Sequence, residues 1–214
     1  TESSGLYCFE SINFCVGEYF SQNSGNCVDI PNGHRVIGKP VCDEANVALG
    51  FTVNTARPIG GDDRPYGCYF YNNILFANSY TNNKPCSPTN VCLCFSGSAC
   101  ANVDGTIANT RKCMCGSHIC TTSVGLFCNS NLNRCTKAAA CANDDGLTVN
   151  NVDCTCGLND CNSGTGRFCI VAWNECGINA KCSNIIGSVT NNIDCTCGSK
   201  NCQASTGRFC VAAW

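Results

Sequence analysis

Apolar residues recur at helical spacing over residues 41–50, where Val41, Ala45, Ala48 and Leu49 share one face and Gly50 supplies a C-terminal stop. One short helix is predicted there. After the loop 57–64, which carries Gly60-Gly61-Asp62-Asp63, the pattern turns β-rich: Tyr66-Gly67-Cys68-Tyr69-Phe70-Tyr71 and Ile74-Leu75-Phe76 flank Asn72-Asn73, a hairpin signal. Residues 1–26 hold Tyr7, Phe9, Phe14, Tyr19 and Phe20 around Cys8 and Cys15, an aromatic segment expected to pack onto something. From about residue 96 the regular feature is cysteine.

The series Cys94, Cys100, Cys113, Cys115, Cys120 and Cys128 recurs as Cys135, Cys141, Cys154, Cys156, Cys161 and Cys169. It recurs again as Cys176, Cys182, Cys195, Cys197, Cys202 and Cys210, always at an interval of 41 residues. So rigid an interval describes a small unit repeated in tandem, each copy leaning on its neighbour. Glycines repeat with it. Gly105, Gly146 and Gly187 suit a turn with positive φ, and Gly116, Gly157 and Gly198 follow each Cys-x-Cys, where the chain must reverse. Phe127, Phe168 and Phe209 give one aromatic per unit, Trp173 and Trp214 a second in the last two, and these are expected to fill the seams between units.

The expected fold class is therefore small and disulfide-rich: an N-terminal module with one short helix on a small antiparallel sheet, then three 41-residue, loop-rich, short-strand repeats in an elongated array. The divisions are an N-terminal aromatic segment (1–26), a six-cysteine helix-plus-hairpin module (27–95), and repeats at 96–135, 136–176 and 177–214, the last incomplete.

Composition fixes the compartment. The chain has 25 Cys in 214 residues, a density incompatible with the reducing cytosol. The expected setting is extracellular, cell-surface or an organelle lumen such as that of the thylakoid. A disulfide closing a loop of about 15 residues removes roughly 3 kcal/mol of unfolded-state freedom, so three per repeat would replace most of a hydrophobic core. The net charge of −2, without a basic run, gives no footprint for nucleic acid. No stretch approaches the ~20 apolar residues of a membrane span, and Thr1-Glu2-Ser3-Ser4-Gly5 reads as the start of a processed chain.

Twenty-five is odd. Cys27, Cys42, Cys68, Cys86, Cys92 and Cys94 make a self-contained six, which leaves the third repeat short of the sixth cysteine that the interval would place just after Trp214. The alternative phase starts the ladder at Cys94 and puts the unpaired residue among the N-terminal seven.

Read from Cys128, the order Cys-x6-Cys-x5-Cys-x12-Cys-x-Cys resembles the epidermal-growth-factor-like module up to its fifth cysteine, after which Cys161 and Cys169 depart from it. The resemblance implies the pairs Cys128–Cys141, Cys135–Cys154 and Cys156–Cys161, whereas order alone leaves fifteen pairings of six cysteines open. The unit Cys-x-Asn-x-x-Gly … Asp-Cys-Thr-Cys-Gly-x3-Cys-x3-Thr-Gly-Arg-Phe-Cys resembles cysteine-rich tandem repeats of secreted or lumenal proteins in dinoflagellates and other marine algae. The segment holding Cys42, Tyr66-Gly67-Cys68-Tyr69, Cys86 and Cys92-Leu93-Cys94 is similar to a module of the same proteins. That resemblance implies source and compartment.

Three Cys-x-Cys-Gly-x3-Cys clusters have spacings that zinc or an iron–sulfur centre would accept, but their regularity and the presence of only two histidines favour structural disulfides. Redox cycling would need one distinguished pair, and here the motif is repeated alike. His34 and His118 have no nucleophile in a recognisable arrangement, and Asp62-Asp63 and Asp144-Asp145 are loop acids. The sequence thus predicts no catalytic residue, no metal and no cofactor. It predicts a structural scaffold docking onto a protein assembly or onto itself, either as an accessory lumenal subunit of an algal photosynthetic complex or as a cell-surface or extracellular fibre component. Phe9, Phe14, Tyr66, Tyr69, Tyr71, Trp173 and Trp214 are the candidate docking aromatics. A carbohydrate-binding module, with the same rings as stacking platforms, is the alternative.

Overall fold

A computed structural model describes residues 7–9, 14–16, 18–52, 55–60, 63–81 and 84–211, with side chains from Tyr19 onward. The side chains of Phe9 and Phe14, and Trp214, all candidate docking aromatics, lie outside the described residues. The described chain forms two compact units, residues 1–103 with 108–137, and residues 104–107 with 138–214.

In the first unit, β1 (Tyr7–Phe9) and β2 (Phe14–Val16) form an antiparallel pair. The main sheet has six strands: β3 (Glu18–Gln22), β4 (Gly33–Arg35), β5 (Arg57–Ile59), β6 (Gly67–Tyr71), β7 (Ile74–Asn78) and β8 (Val91–Ser96). Its order is β3-β8-β6-β7-β5, with β4 also on β8. The expected hairpin is β6–β7, and Asn72 and Asn73 turn it with φ of 48° and 60°, the double left-handed turn that matches strand twist. The sheet is mixed, correcting the antiparallel expectation, because β5 runs parallel to β7 along its free edge. Pro58, which has no N–H to give, is tolerated on that edge strand. His34 lies in β4 opposite Phe95.

The predicted helix is α1 (Lys39–Ala48), with Pro40 in its first turn and Gly50 at φ 72° beyond its end. Cys42 bonds to Cys68 and fixes the helix to β6, while Cys27–Cys94 and Cys86–Cys92 complete the self-contained six. Tyr19, Val36, Val41, Ala45, Leu75, Leu93 and Phe95 form a conventional core under the helix.

Each of the first two repeats is a pair of two-stranded hairpins joined by sulfur. In the first, β9 (Cys113–Cys115) pairs with β10 (His118–Cys120), and β11 (Phe127–Asn129) with β12 (Arg134–Thr136). Cys115–Cys128 and Cys120–Cys135 stitch the hairpins together, and Cys100–Cys113 ties the preceding loop to them. The second repeat copies this with β13 (Cys154–Cys156), β14 (Asn159–Cys161), β15 (Phe168–Ile170) and β16 (Glu175–Gly177), bonded as Cys141–Cys154, Cys156–Cys169 and Cys161–Cys176. The third has β17 (Ile186–Thr190), β18 (Cys195–Cys197), β19 (Lys200–Cys202) and β20 (Phe209–Val211), with Cys182–Cys195 and Cys197–Cys210. In it one hairpin, β18–β19, is joined by a β17–β20 pair. Cys202 is a free, buried thiol.

This map replaces the pairs Cys128–Cys141, Cys135–Cys154 and Cys156–Cys161, although all six residues are in disulfides. The cause is local. The N–H of Cys141 donates to the Thr155 carbonyl at 3.0 Å and that of Thr155 to the Ala139 carbonyl at 2.7 Å, a parallel bridge that sets Cys141 beside Cys154.

What closes the loop before that bridge is a buried asparagine. Asn150, 4% exposed, donates to the carbonyls of Asn143 (2.7 Å) and Arg167 (3.1 Å) and accepts the N–H of Asn143 (3.0 Å). Asn109 and Asn191 make the same bonds in the other repeats. Three satisfied bonds at a buried amide replace the aromatic seam expected from the sequence, since Phe127 and Phe168 are only half-buried and Phe209 is 55% exposed. Asn150→Ala leaves the N–H and carbonyl of Asn143 without their partner, while the Arg167 carbonyl keeps the backbone N–H of residue 150. It should cost about 2–3 kcal/mol in guanidinium unfolding under non-reducing conditions, whereas Asn151→Ala, at an exposed neighbour, should change little.

Candidate functional site

Four groups of side chains invite chemistry. The first are the sulfur clusters: Cys141, Cys161 and Cys169, for example, lie within 4.8 Å of one another, a separation that a metal would accept. Every one of these sulfurs except Cys202 is spent in a disulfide, so the clusters offer no thiolate set for a metal. Disulfide bonding on this scale is consistent with an oxidising compartment, extracellular or lumenal.

The second is a polar latch in the first unit. Lys112 Nζ stands 3.1 Å from Glu44 Oε1 and 4.4 Å from the centre of the Tyr19 ring, and the Tyr19 hydroxyl donates to the same carboxylate at 3.4 Å. Burial, then the adjacent carboxylate, push the Tyr19 hydroxyl far above its ordinary pKa, so it remains a donor. For Glu44 burial acts upward, but the hydroxyls of Ser123 and Thr121 and the Lys112 ammonium outweigh it and hold the carboxyl below its ordinary value. A depressed carboxyl stabilises the fold above its unfolded pKa and loses that contribution as pH falls through the folded one. Thermal melts taken from pH 7 downward should therefore show a destabilisation setting in below about pH 4.5 in the native protein. Glu44→Gln should remove that component.

Lys112 occupies the place that Asp153 and Asp194 take in the other repeats. There the acids pair with Arg167 (2.8 Å) and Arg208 (3.0 Å). The first repeat is thus altered to dock onto the module: Met114 and Ile119, both buried, join its core, and Val124 packs against it. The matching residues are Thr155, Asp160 and Thr165 in the second repeat and Thr196, Asn201 and Thr206 in the third. The latch is a structural joint.

The third is the aromatic face of the sheet. Tyr69 is fully buried, its ring stacked on Phe76 at 5.4 Å, and offers no surface. Tyr71 is half-buried under the Arg64 guanidinium at 3.9 Å, and Tyr66 lies beneath Arg35 at 5.8 Å. These rings are engaged within the fold.

The fourth is the outer surface of the repeats. Trp173 is half-buried, with the Lys181 ammonium 4.7 Å over its ring. A cleft of about 420 Å³ is lined by Trp173, Glu175, Gly198, Ser199, Lys200 and Val211. Each asparagine-closed loop also displays aliphatic side chains: Val103 and Ile107 in the first, Leu147 and Val149 in the second, Ile186 and Val189 in the third, all 43–76% exposed. Sequence reading passed over these loops because no single repeat shows the pattern; only the phase of the asparagines, 41 residues apart, marks them.

No helix among the described residues is long and apolar enough to cross a membrane. Compared with protein-family models, with curated proteins and with solved structures, the chain finds no match in any of the three.

Proposed function

We propose that the protein is a non-enzymatic structural scaffold of an oxidising compartment, one that presents rigid, aliphatic-tipped loops to a larger protein assembly. The observation that carries this is the repeated display: in each repeat an exposed pair of aliphatic side chains stands on a loop closed by a buried asparagine and flanked by a disulfide. A loop so fixed loses little conformational freedom on binding, so apolar contact made there is retained as affinity. Among the described residues of 138–211, every exposed large hydrophobic side chain except Phe209 is aliphatic, which suits protein packing rather than the aromatic faces on which sugars stack. The resemblance to algal cysteine-rich proteins supports a lumenal accessory subunit of a photosynthetic complex; a cell-surface or extracellular fibre is the other setting of the same scaffold.

Carbohydrate binding, the alternative, is supported by Trp173 beside the cleft with Lys200, although Lys181 covers one face of that ring.

Native extraction under non-reducing conditions, followed by size separation and identification of what co-migrates, tests the proposal. Co-migration with a membrane complex places the protein as an accessory subunit, and migration as a self-polymer places it in a fibre. Migration as a single chain that binds oligosaccharides would overturn the scaffold reading.

A further inference from the structure

In the first repeat the three cystines converge on one sulfur. Cys100, Cys113 and Cys120 have their sulfurs within 4.8 Å of one another, and so do Cys115, Cys120 and Cys135. The bonds Cys100–Cys113, Cys115–Cys128 and Cys120–Cys135 therefore all meet at Cys120. The backbone singles out one neighbour among them, because Cys113 stands directly opposite Cys120 in the β9–β10 hairpin. Residues opposed across an antiparallel pair have Cα atoms roughly 4.5–5.5 Å apart, inside the range of about 4.4–6.8 Å that a disulfide spans. A Cys113–Cys120 bond fits the hairpin as it stands.

The cluster has one entrance. Cys100, Cys113, Cys115, Cys120 and Cys128 are buried, and only Cys135 is half-buried. Arg134 and Lys137 flank it, whereas the matching residues around Cys176 in the second repeat are Glu175 and Ile178. Thiol–disulfide exchange is carried by an anionic thiolate, so the cations draw attack to Cys135 and Glu175 turns it away from Cys176.

We propose that the first repeat is a redox-sensitive switch: a dithiol reductant that attacks Cys135 moves the bond of Cys120 onto Cys113 and frees Cys100, so that one reductant opens two ties. The thiolate of the reductant bonds to the Cys135 sulfur and expels the Cys120 thiolate. Held in a buried site, where an unpaired charge is costly, that thiolate attacks the Cys113 sulfur, forms Cys113–Cys120 and expels the Cys100 thiolate. The second thiol of the reductant then closes on its own sulfur and expels Cys135. Two electrons pass from the dithiol, which leaves as a disulfide, and its two protons end on Cys100 and Cys135. The tie of the 100–113 loop and one of the two stitches between the hairpins are lost together, while Cys115–Cys128 remains. This exchange follows from the sulfur geometry and does not depend on what the loops bind.

The test exposes the folded full chain to one equivalent of dithiothreitol at low salt, traps thiols with N-ethylmaleimide, and cleaves the product with cyanogen bromide and trypsin. In the native protein the dipeptide 113–114 is joined to the peptide that holds Cys100. After partial reduction it should be found joined to 115–134 instead, with Cys100 and Cys135 labelled in equal amounts. Label should reach Cys135 at least about threefold sooner than Cys176, and the gap should narrow in 1 M salt, where charges are screened beyond about 3 Å. Label on Cys120 and Cys135 with 113–114 still joined to Cys100, or equal labelling of Cys135 and Cys176 at low salt, would overturn the proposal.

Discussion

Complete reduction with dithiothreitol at neutral pH is expected to abolish amide protection throughout residues 138–211, before it is lost from the sheet of β3, β6, β7 and β8. Among the described residues of that unit, Ile170 is the only buried apolar side chain that is not a cysteine. The interior is therefore sulfur, and five disulfides closing spans of 13 or 15 residues hold it. On the loop-entropy description each contributes about 3 kcal/mol, so their joint loss, about 15 kcal/mol, matches the upper end of the roughly 5–15 kcal/mol by which whole domains are stable. The sheet differs because Tyr19, Val36, Leu75, Leu93 and Phe95 remain buried together when sulfur is reduced. Hydrogen exchange with mass detection along a reductant series reads both regions at once. Persistent protection of 138–211 in fully reduced protein would mean that something other than cystine holds the repeats.

The second large effect is expected at the joint between the first repeat and the module. Replacing Ile119 by Asp, the residue of the second repeat at that position, puts a carboxylate into the buried apolar core that also holds Tyr19 and Phe95, where Ile119 is now 4% exposed. The change forfeits roughly 1.5–3 kcal/mol of side-chain burial, and leaves a buried charge without a partner, adding several kcal/mol more. A loss of at least about 4 kcal/mol, or outright detachment of residues 108–137 from the module, should appear in non-reducing denaturant titration. The reciprocal Asp160→Ile, on an exposed strand, should shift stability by less than about 0.5 kcal/mol. Equal effects in the two variants would show that the joint is not where the first repeat is anchored.

Local structure was legible wherever a short stretch of chain decides it. Helix α1 follows from the spacing of Val41, Ala45, Ala48 and Leu49, and the β6–β7 turn from Asn72-Asn73, whose side chains tolerate positive φ. The closed six of the module and the unpaired cysteine of the third repeat were readable from counting and phase. What escaped depends on partners distant in sequence. β3 and β4 both pair with β8, whose partner residues lie about 60 or more positions away, and nothing near Tyr19 or His34 announces it. The pairing Cys120–Cys135 runs against the epidermal-growth-factor-like expectation because a bridge at Thr155, set by a buried asparagine, decides the neighbour of Cys141.

The candidate site was harder to read for a related reason. Sequence attention went to aromatics, and Tyr66, Tyr69 and Tyr71 are engaged within the sheet, under arginines or against Phe76. The informative positions were instead those where the copies differ. Lys112, Met114 and Ile119 depart together from the Asp, Thr and Asp of the second repeat, and that departure is the record of a docking face. Asn143 was within the repeat motif as written, yet its companion Asn150, seven residues on, carries the closure.

The sulfur framework can be tested in one digestion. Met114, the only methionine, separates Cys113 from Cys115, and trypsin cleaves after Lys112, Arg134, Lys137 and Arg167. Unreduced, denatured protein treated with cyanogen bromide and trypsin should yield the short peptide 135–137 linked to 115–134 through Cys120–Cys135, with Cys115–Cys128 closed inside the larger piece. Finding 135–137 and 115–134 both linked to 138–167 instead would mean that Cys135 reaches Cys154 and Cys128 reaches Cys141, and would contradict repeats closed upon their own sulfur.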